Sequence, residues 1–179
     1  QPHHKKCVVK IISKELIPNR SYRLHIAMAP TKMNDRMEWF LEKATEIGID
    51  EITPIICSRS ERKATNHERF EKVLISAMKQ SMNPWLPVLN HQVDFNKFIE
   101  KNQTGFIAHC MDSSKEPLKN LLPAKENITI LVGPEGDFTE TELMHALENG
   151  WKPVSLGASR LRTETAGVVA CHTVNLIKS

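Results

Sequence analysis

Two stretches of the chain bring together residue types that could do chemistry. Gly133-Pro134-Glu135-Gly136 sets two glycines and a proline around one carboxylate. Glycines let the main chain come close to a ligand, and Pro134 stiffens the turn. Further on, Leu156-Gly157-Ala158-Ser159-Arg160-Leu161-Arg162-Thr163-Glu164-Thr165-Ala166 places two guanidiniums on either side of Leu161. Buried Arg is costly unless paired, so Arg160 and Arg162 are exposed, bonded to carboxylates, or facing an anionic ligand. A bland alternative stays open for each stretch. The first can be a plain turn without a ligand, and in the second Arg162 can pair with Glu164 or Glu135.

The elements that must position them are readable from pattern. Ile128-Thr-Ile-Leu-Val132 is a β-branched apolar run, which predicts a strand buried on both faces. Thr139-x-x-Glu142 has the form of a capping box opening a helix to Asn149, with Gly150 as its stop. Pro153–Leu156 predicts a short strand, and Thr163 or Thr165 caps a closing helix through Ile177. Both stretches therefore join a strand to a helix, and open α/β sheets bind ligands outside the carboxyl ends of such strands. Neither matches G-x-G-x-x-G or G-K-[ST], which argues against a phosphate-centred cofactor. A ligand held by main-chain groups without a phosphate suits an adenosine compound such as S-adenosylmethionine.

Upstream, Tyr22–Ala29 predicts a strand, and Asp35 caps a helix with Met37, Phe40, Leu41, Ala44 and Ile47 inward, ending at Gly48. Trp39 lies off that stripe, so it packs on another subunit or is partly exposed. Ile52–Cys57 predicts a strand that Pro54 assigns to an edge or a strand start. Thr65-x-x-Glu68 predicts a capping box for a helix carrying Phe70, Val73, Leu74, Ala77 and Met78. Val88–Val93 reads as a strand, Asp94 as the cap of a short helix with Phe95, Phe98 and Ile99 inward, and Gly105–Cys110 as a third good strand. Asp112-Ser113-Ser114 opens a loop, and one or two helical turns are expected in Pro117–Leu122. Strands alternating with helices predict one α/β domain with a largely parallel sheet. Cys7–Ile12 alternates like a strand but cannot bury a face alone, which points to the end of something begun upstream or to a segment that packs elsewhere.

With 179 residues, 40% hydrophobic and 25% charged, the chain can build one well-cored domain and a small appendage. Its start lacks the apolar core of a signal peptide and no run is long enough to span a bilayer, so a soluble, intracellular, cytoplasmic protein is expected. The four cysteines, Cys7, Cys57, Cys110 and Cys171, are widely spaced and read as small buried hydrophobes. The eight histidines show no metal-ligand spacing, so no metal is expected. The net charge of +3 is small, but Arg59, Arg62, Lys63 and Arg69 crowd one stretch, with Lys32, Arg36 and Lys79 elsewhere. Such a stretch is either a solvated loop or a surface for nucleic acid.

Val132–Phe138, Leu156-Gly157 and Leu161–Ala166 together resemble the paired signatures of the RsmE family of 16S rRNA (uracil-N3)-methyltransferases, of the SPOUT superfamily. Asp35-Arg36-Met37-Glu38-Trp39, Lys43–Glu46 and Gln80-Ser81 are similar to its other landmarks, and the resemblance runs from about Tyr22 to the C-terminus. It departs from the family pattern at Asp137, where Gly is common, and at Ser159, where the first Arg usually stands, so that Arg160 is displaced by one. The resemblance implies a trefoil-knotted α/β domain over residues 20–179, a homodimer, and a remnant of a PUA-like RNA-binding barrel in residues 1–19. It implies that S-adenosylmethionine binds along Val132, Gly133, Pro134, Glu135 and Gly136, and along Ser155, Leu156, Gly157, Leu161, Arg162, Thr163 and Ala166.

The implied reaction is methylation of N3 of a uridine in 16S rRNA of the small ribosomal subunit. Arg162 would stabilise charge on the uracil carbonyl oxygens, and Glu164 would orient Arg162 or act as base. Arg36, Arg59, Arg62, Lys63, Gln80 and Arg160 would hold the RNA. A related enzyme modifying another RNA site, a noncatalytic RNA-binding protein and, last, a phosphate-binding α/β enzyme remain as rival readings.

Overall fold

The computed structural model describes residues 6–18, 20–102, 104–123 and 127–178. Eight strands and six helices follow in chain order. The first half holds β1 (Leu24–Met28), α1 (Asn34–Ile47), β2 (Glu51–Ile56), α2 (His67–Gln80), β3 (Val88–Leu89), β4 (Val93–Asp94) and α3 (Phe95–Lys101). The second holds β5 (Phe106–Ala108), β6 (Glu116–Pro117), α4 (Leu118–Leu121), β7 (Ile128–Val132), α5 (Glu140–Glu148), β8 (Lys152–Ser155) and α6 (Thr163–Lys178). The sheet order is β3-β2-β1-β7-β5-β8-β6, with β4 also on β2, and every pair is parallel. This is the α/β architecture expected from the alternating pattern.

Strand alternation divides the core. Leu24, Ile26, Met28, Ile130 and Val132 face a cluster with Phe40, Leu41, Phe70 and Val174. Ala27, Ile55, Ile107 and Leu131 face a second cluster with Phe95, Phe98, Phe138, Leu143 and Trp151. The strands are apolar throughout because both faces are covered. On the first face α6 lies hard against the sheet: a Cβ on Gly167 would come within 2.6 Å of the Phe40 ring and 2.9 Å of Met28 Sδ.

Local signals hold in part. Gly48, at φ 113°, ends α1 and donates its N–H to Ala44 O. Asp94 caps α3, and Thr139 and Glu142 form the full capping box of α5. Other expectations are corrected. Asp35 sits inside the first turn of α1, after Met33 at the cap position, whose side chain makes no capping bond, and the Asp35 Oδ1 accepts the Arg36 N–H. Asn66, not Thr65, caps α2, because Thr65 is drawn to Gln92 through its N–H and hydroxyl. Thr163 is the first residue of α6, and Thr165 lies within it.

Pro54 is not on an edge strand, since β2 has β1 on one side and β3 and β4 on the other. The Asp50 and Ile52 carbonyls accept from the Val88 and Asn90 N–H groups, so the backbone groups of the even-numbered residues of β2 point toward the β3 and β4 side. Pro54 therefore falls in the gap between β3 and β4, where a missing N–H leaves nothing unpaired. The single strand expected over Val88–Val93 is split by that same gap. Residues 6–18 are exposed and carry only an isolated bridge at Cys7, so the strand Cys7–Ile12 is not formed. Residues 1–5 and Asn19 lie outside the described residues. Cys57 and Cys171 are buried as expected, and burial pushes the Cys171 thiol up to about 12; Cys7 and Cys110 are exposed.

Two histidines are buried in this framework. His25 Nε2 lies 2.7 Å from Thr53 Oγ1 across the β1–β2 pair, with its ring edge-on to Phe98. His109, after β5, has neither ring nitrogen hydrogen-bonded. Burial lowers both pKa values first, opposed at His25 by Glu51 and reinforced at His109 by Lys115.

Two outcomes follow for stability. Gly167→Ala overpacks the α6–sheet contact and should cost about 1–3 kcal/mol in urea unfolding, despite the better helix former; unchanged stability would mean the contact is loose. A histidine held neutral when folded binds protons only when unfolded, so stability rises with pH through that window. The unfolding free energy should therefore fall as pH drops from about 7.5 to about 5.5, around the ordinary histidine value. His25→Gln should flatten the fall, and a flat profile in the parent protein would refute it.

Candidate functional site

Because all strand pairs are parallel, the loops after β5, β7 and β8 emerge on one edge of the sheet. β5 lies between β7 and β8, so the two stretches singled out by sequence are not immediate neighbours. The loop after β5 stands between them. It is the wall that sequence reading missed, because Cys110–Ser114 carries neither glycine nor paired charge. Its only signal was position, as the loop following a third buried strand.

The three loops enclose a cleft of two adjoining cavities. One, of about 280 Å³, is lined by Val132, Gly133, Pro134, Glu135 and Asp137 from the β7 loop, by Arg160, Leu161, Arg162, Thr163 and Ala166 from the β8–α6 stretch, and by Ala108 and Cys110. The other, of about 450 Å³, is lined by Ser155, Leu156 and Gly157 with the β5 loop from His109 to Lys115. Ala108, Cys110, Arg160, Leu161 and Ala166 border both. Gly136 borders neither; its carbonyl is turned to Arg59.

The walls offer an apolar slot made by Ala108, Val132, Leu156, Leu161 and Ala166, rimmed by the carboxylates of Glu135 and Asp137. The leading N–H groups of α6, from Thr163, have no partner inside the helix and border the same space. Such a cleft suits a flat heteroaromatic group joined to a positively charged centre. Glu135 is steadied by the Lys32 N–H, which donates to its Oε1 at 2.8 Å.

The basic residues divide into two groups. Arg59 Nη1 donates to the carbonyls of Gly136 (2.9 Å) and Phe138 (3.2 Å), and Arg62 Nη2 donates to Lys32 O (2.8 Å). Lys32 pairs with Glu61, and Arg69 with Glu38. Arg59, Arg62 and Lys32 clasp neighbouring loops, and Arg69 ties α2 to α1. Arg160 and Arg162 are exposed at the cleft and their guanidiniums make no hydrogen bond or ion pair among the described residues, so Arg162 pairs with neither Glu164 nor Glu135. Lys63 is exposed, with its carbonyl taken by Gln92. Gln80 lies apart, in the groove between α1 and α2 with Glu42, Lys43 and Glu46.

Glu164 is buried at the start of α6. Its Oε1 lies 3.8 Å from Arg36 Nε and its Oε2 has no partner. Arg36, not Arg162, is thus the cation beside it. Glu142 holds a second loop: its Oε1 accepts the Ser58 N–H at 2.7 Å and its Oε2 the Thr139 N–H at 2.8 Å. Among the described residues, no group of three or more His, Cys, Asp or Glu is placed to hold a metal, and no helix is long and apolar enough to cross a membrane.

Comparison with known proteins agrees with this geometry. Residues 18–175 match the RNA methyltransferase domain family. A relative in Rickettsia conorii named ribosomal RNA small subunit methyltransferase E is 32% identical over 167 residues, covering 90% of this chain and 68% of its own length. The crystal structure of a probable rRNA-methyltransferase from Porphyromonas gingivalis is 40% identical with a TM-score of 0.85, over 93% of this chain and 71% of that one. A ribosomal RNA small subunit methyltransferase E from Neisseria gonorrhoeae, solved with S-adenosyl methionine bound, is 28% identical with a TM-score of 0.78, over 87% and 66%. The chain thus spans about two thirds of the length of these relatives. With this sequence match and a matching fold, it belongs to the RNA methyltransferase domain family, among the small-subunit methyltransferase E proteins.

Proposed function

We propose that the cleft binds S-adenosylmethionine and that the chain methylates N3 of a uridine in the 16S rRNA of the small ribosomal subunit. The observation that carries this reading is the convergence of the β7 and β8 loops on one cleft where, among the described residues, the guanidiniums of Arg160 and Arg162 have no competing partner. The donor set fits the cofactor: an apolar slot for adenine, carboxylates near a sulfonium, and main-chain groups for the rest. When bound, the cofactor supplies an electrophilic methyl group on sulfur.

The remaining work falls to the chain. Uracil N3 is a poor nucleophile until it loses its proton, and the charge then spreads to the flanking carbonyl oxygens. Arg162 stabilises that charge, a role worth about 3 kcal/mol by analogy with oxyanion donors. Glu164 takes up that proton or, through Arg36, sets the start of α6. The target base must be unpaired or flipped, since N3 is its pairing edge. Arg160 and Lys63 contact phosphate, while Arg36, Arg59 and Arg62 shape the surface beside them and Gln80 extends it. A trefoil knot through these loops, a homodimer in the cytoplasm, and a barrel remnant in residues 1–19 ahead of the methyltransferase domain 20–179 complete the reading.

The test is turnover of Arg162→Ala on small-subunit RNA, read by mass spectrometry of the nucleoside product. A fall in kcat of about 10²–10³-fold is expected. Affinity for S-adenosylhomocysteine should stay within a few fold. Full turnover by the variant would remove Arg162 from the reaction, and a product methylated elsewhere would replace the N3 assignment.

A further inference from the structure

Asp137 occupies a position where the resembling family commonly carries Gly, and its backbone explains why Gly is at home there. Its φ is 61°, in the left-handed region that Gly enters freely and Asp tolerates. The side chain brings something Gly cannot. Asp137 Oδ1 accepts the Phe138 N–H at 2.9 Å, and Oδ2 accepts the Cys110 N–H at 2.8 Å. One carboxylate therefore ties the turn after β7 to the loop after β5. Its own N–H closes the turn on Pro134 O at 2.9 Å, which holds the carboxylate in place.

The loop it grips is also held by Met111, which packs against the second core cluster, and by a tie within the loop. Lys115 Nζ donates to the His109 and Met111 carbonyls, at 3.0 and 2.6 Å, and so draws the far end of the loop back toward β5. Cys110, whose amide Asp137 holds, borders both cavities of the cleft. We propose that Asp137 is a positioning residue for the cofactor: by fixing the β5 loop it sets the third wall against which the adenosyl group rests. This rests on the methyl-transfer reading above. A bond from a charged acceptor to a backbone N–H is among the stronger single hydrogen bonds, so its loss is measurable.

The substitution that tests it is Asp137→Gly, which relieves the left-handed backbone while releasing the Cys110 amide. A purely structural tie would lower stability and binding together; a positioning role separates them. Calorimetric titration of the full chain with S-adenosylhomocysteine should show binding about tenfold weaker in Asp137→Gly. Asp137→Asn, which keeps one acceptor oxygen, should lose less. Relief of the left-handed backbone should offset the lost Cys110 and Phe138 bonds, so the melting temperature without ligand should stay about unchanged in Asp137→Gly, while hydrogen exchange at the Cys110 amide should quicken. Undiminished affinity in Asp137→Gly, or a melting temperature that falls with the affinity, would overturn the assignment while wild-type binding still upheld the cofactor reading. No binding by the wild-type protein would sink that reading and this assignment with it.

Discussion

The parallel pairing of every described strand is the constraint on which the site depends. A parallel sheet needs both faces covered, and it sends all its carboxyl ends to one edge. Helices and apolar clusters cover the faces here, leaving that edge as the place where three loops meet. The loops run beyond the ladder, so their polar main-chain groups must find partners elsewhere. Side chains supply them: Glu142 to Ser58, Arg59 to Gly136 and Phe138, Arg62 to Lys32, Asp137 to Cys110. The cleft is thus shaped by charged residues acting on backbone.

That arrangement explains why basic residues close in sequence do different things. Arg59 and Arg62 satisfy carbonyls, and a guanidinium so engaged has fewer donors left for phosphate. Arg160 and Arg162 lie at the cleft with exposed side chains. Composition counts all four alike, and only their partners tell them apart.

What was legible in the sequence follows the same division. The strand Ile128–Val132, the capping box of Thr139 and Glu142, and the Gly48 stop are local, with both members within a few residues, and each stands as read. The Thr65 reading failed because a residue 27 positions away, Gln92, competes for it, and no window over Thr65 contains that residue. Pro54 misled for a like reason: its tolerance comes from a break between two partner strands that only the assembled sheet has. Within the site, the glycine and arginine stretches were visible by residue type. The β5 loop was not, since its place between β7 and β8 is a property of strand order.

Glu164 shows how far the site departs from what stability alone would select. A carboxylate oxygen buried without a hydrogen-bond partner costs on the order of 1–3 kcal/mol or more. The dipole of α6 favours a negative charge in its first turn, but by about 0.3–1 kcal/mol at an exposed surface, and Arg36 stands off at 3.8 Å. Neither offsets the burial fully. An apolar residue of the same size would serve the α1–α6 packing better, as replacement of buried charges in other proteins indicates. Locally unfavourable groups of this kind collect where function constrains the residue. Its burial beside Arg36 makes the start of α6, next to the cleft, the part of the structure shaped most by chemistry and least by folding.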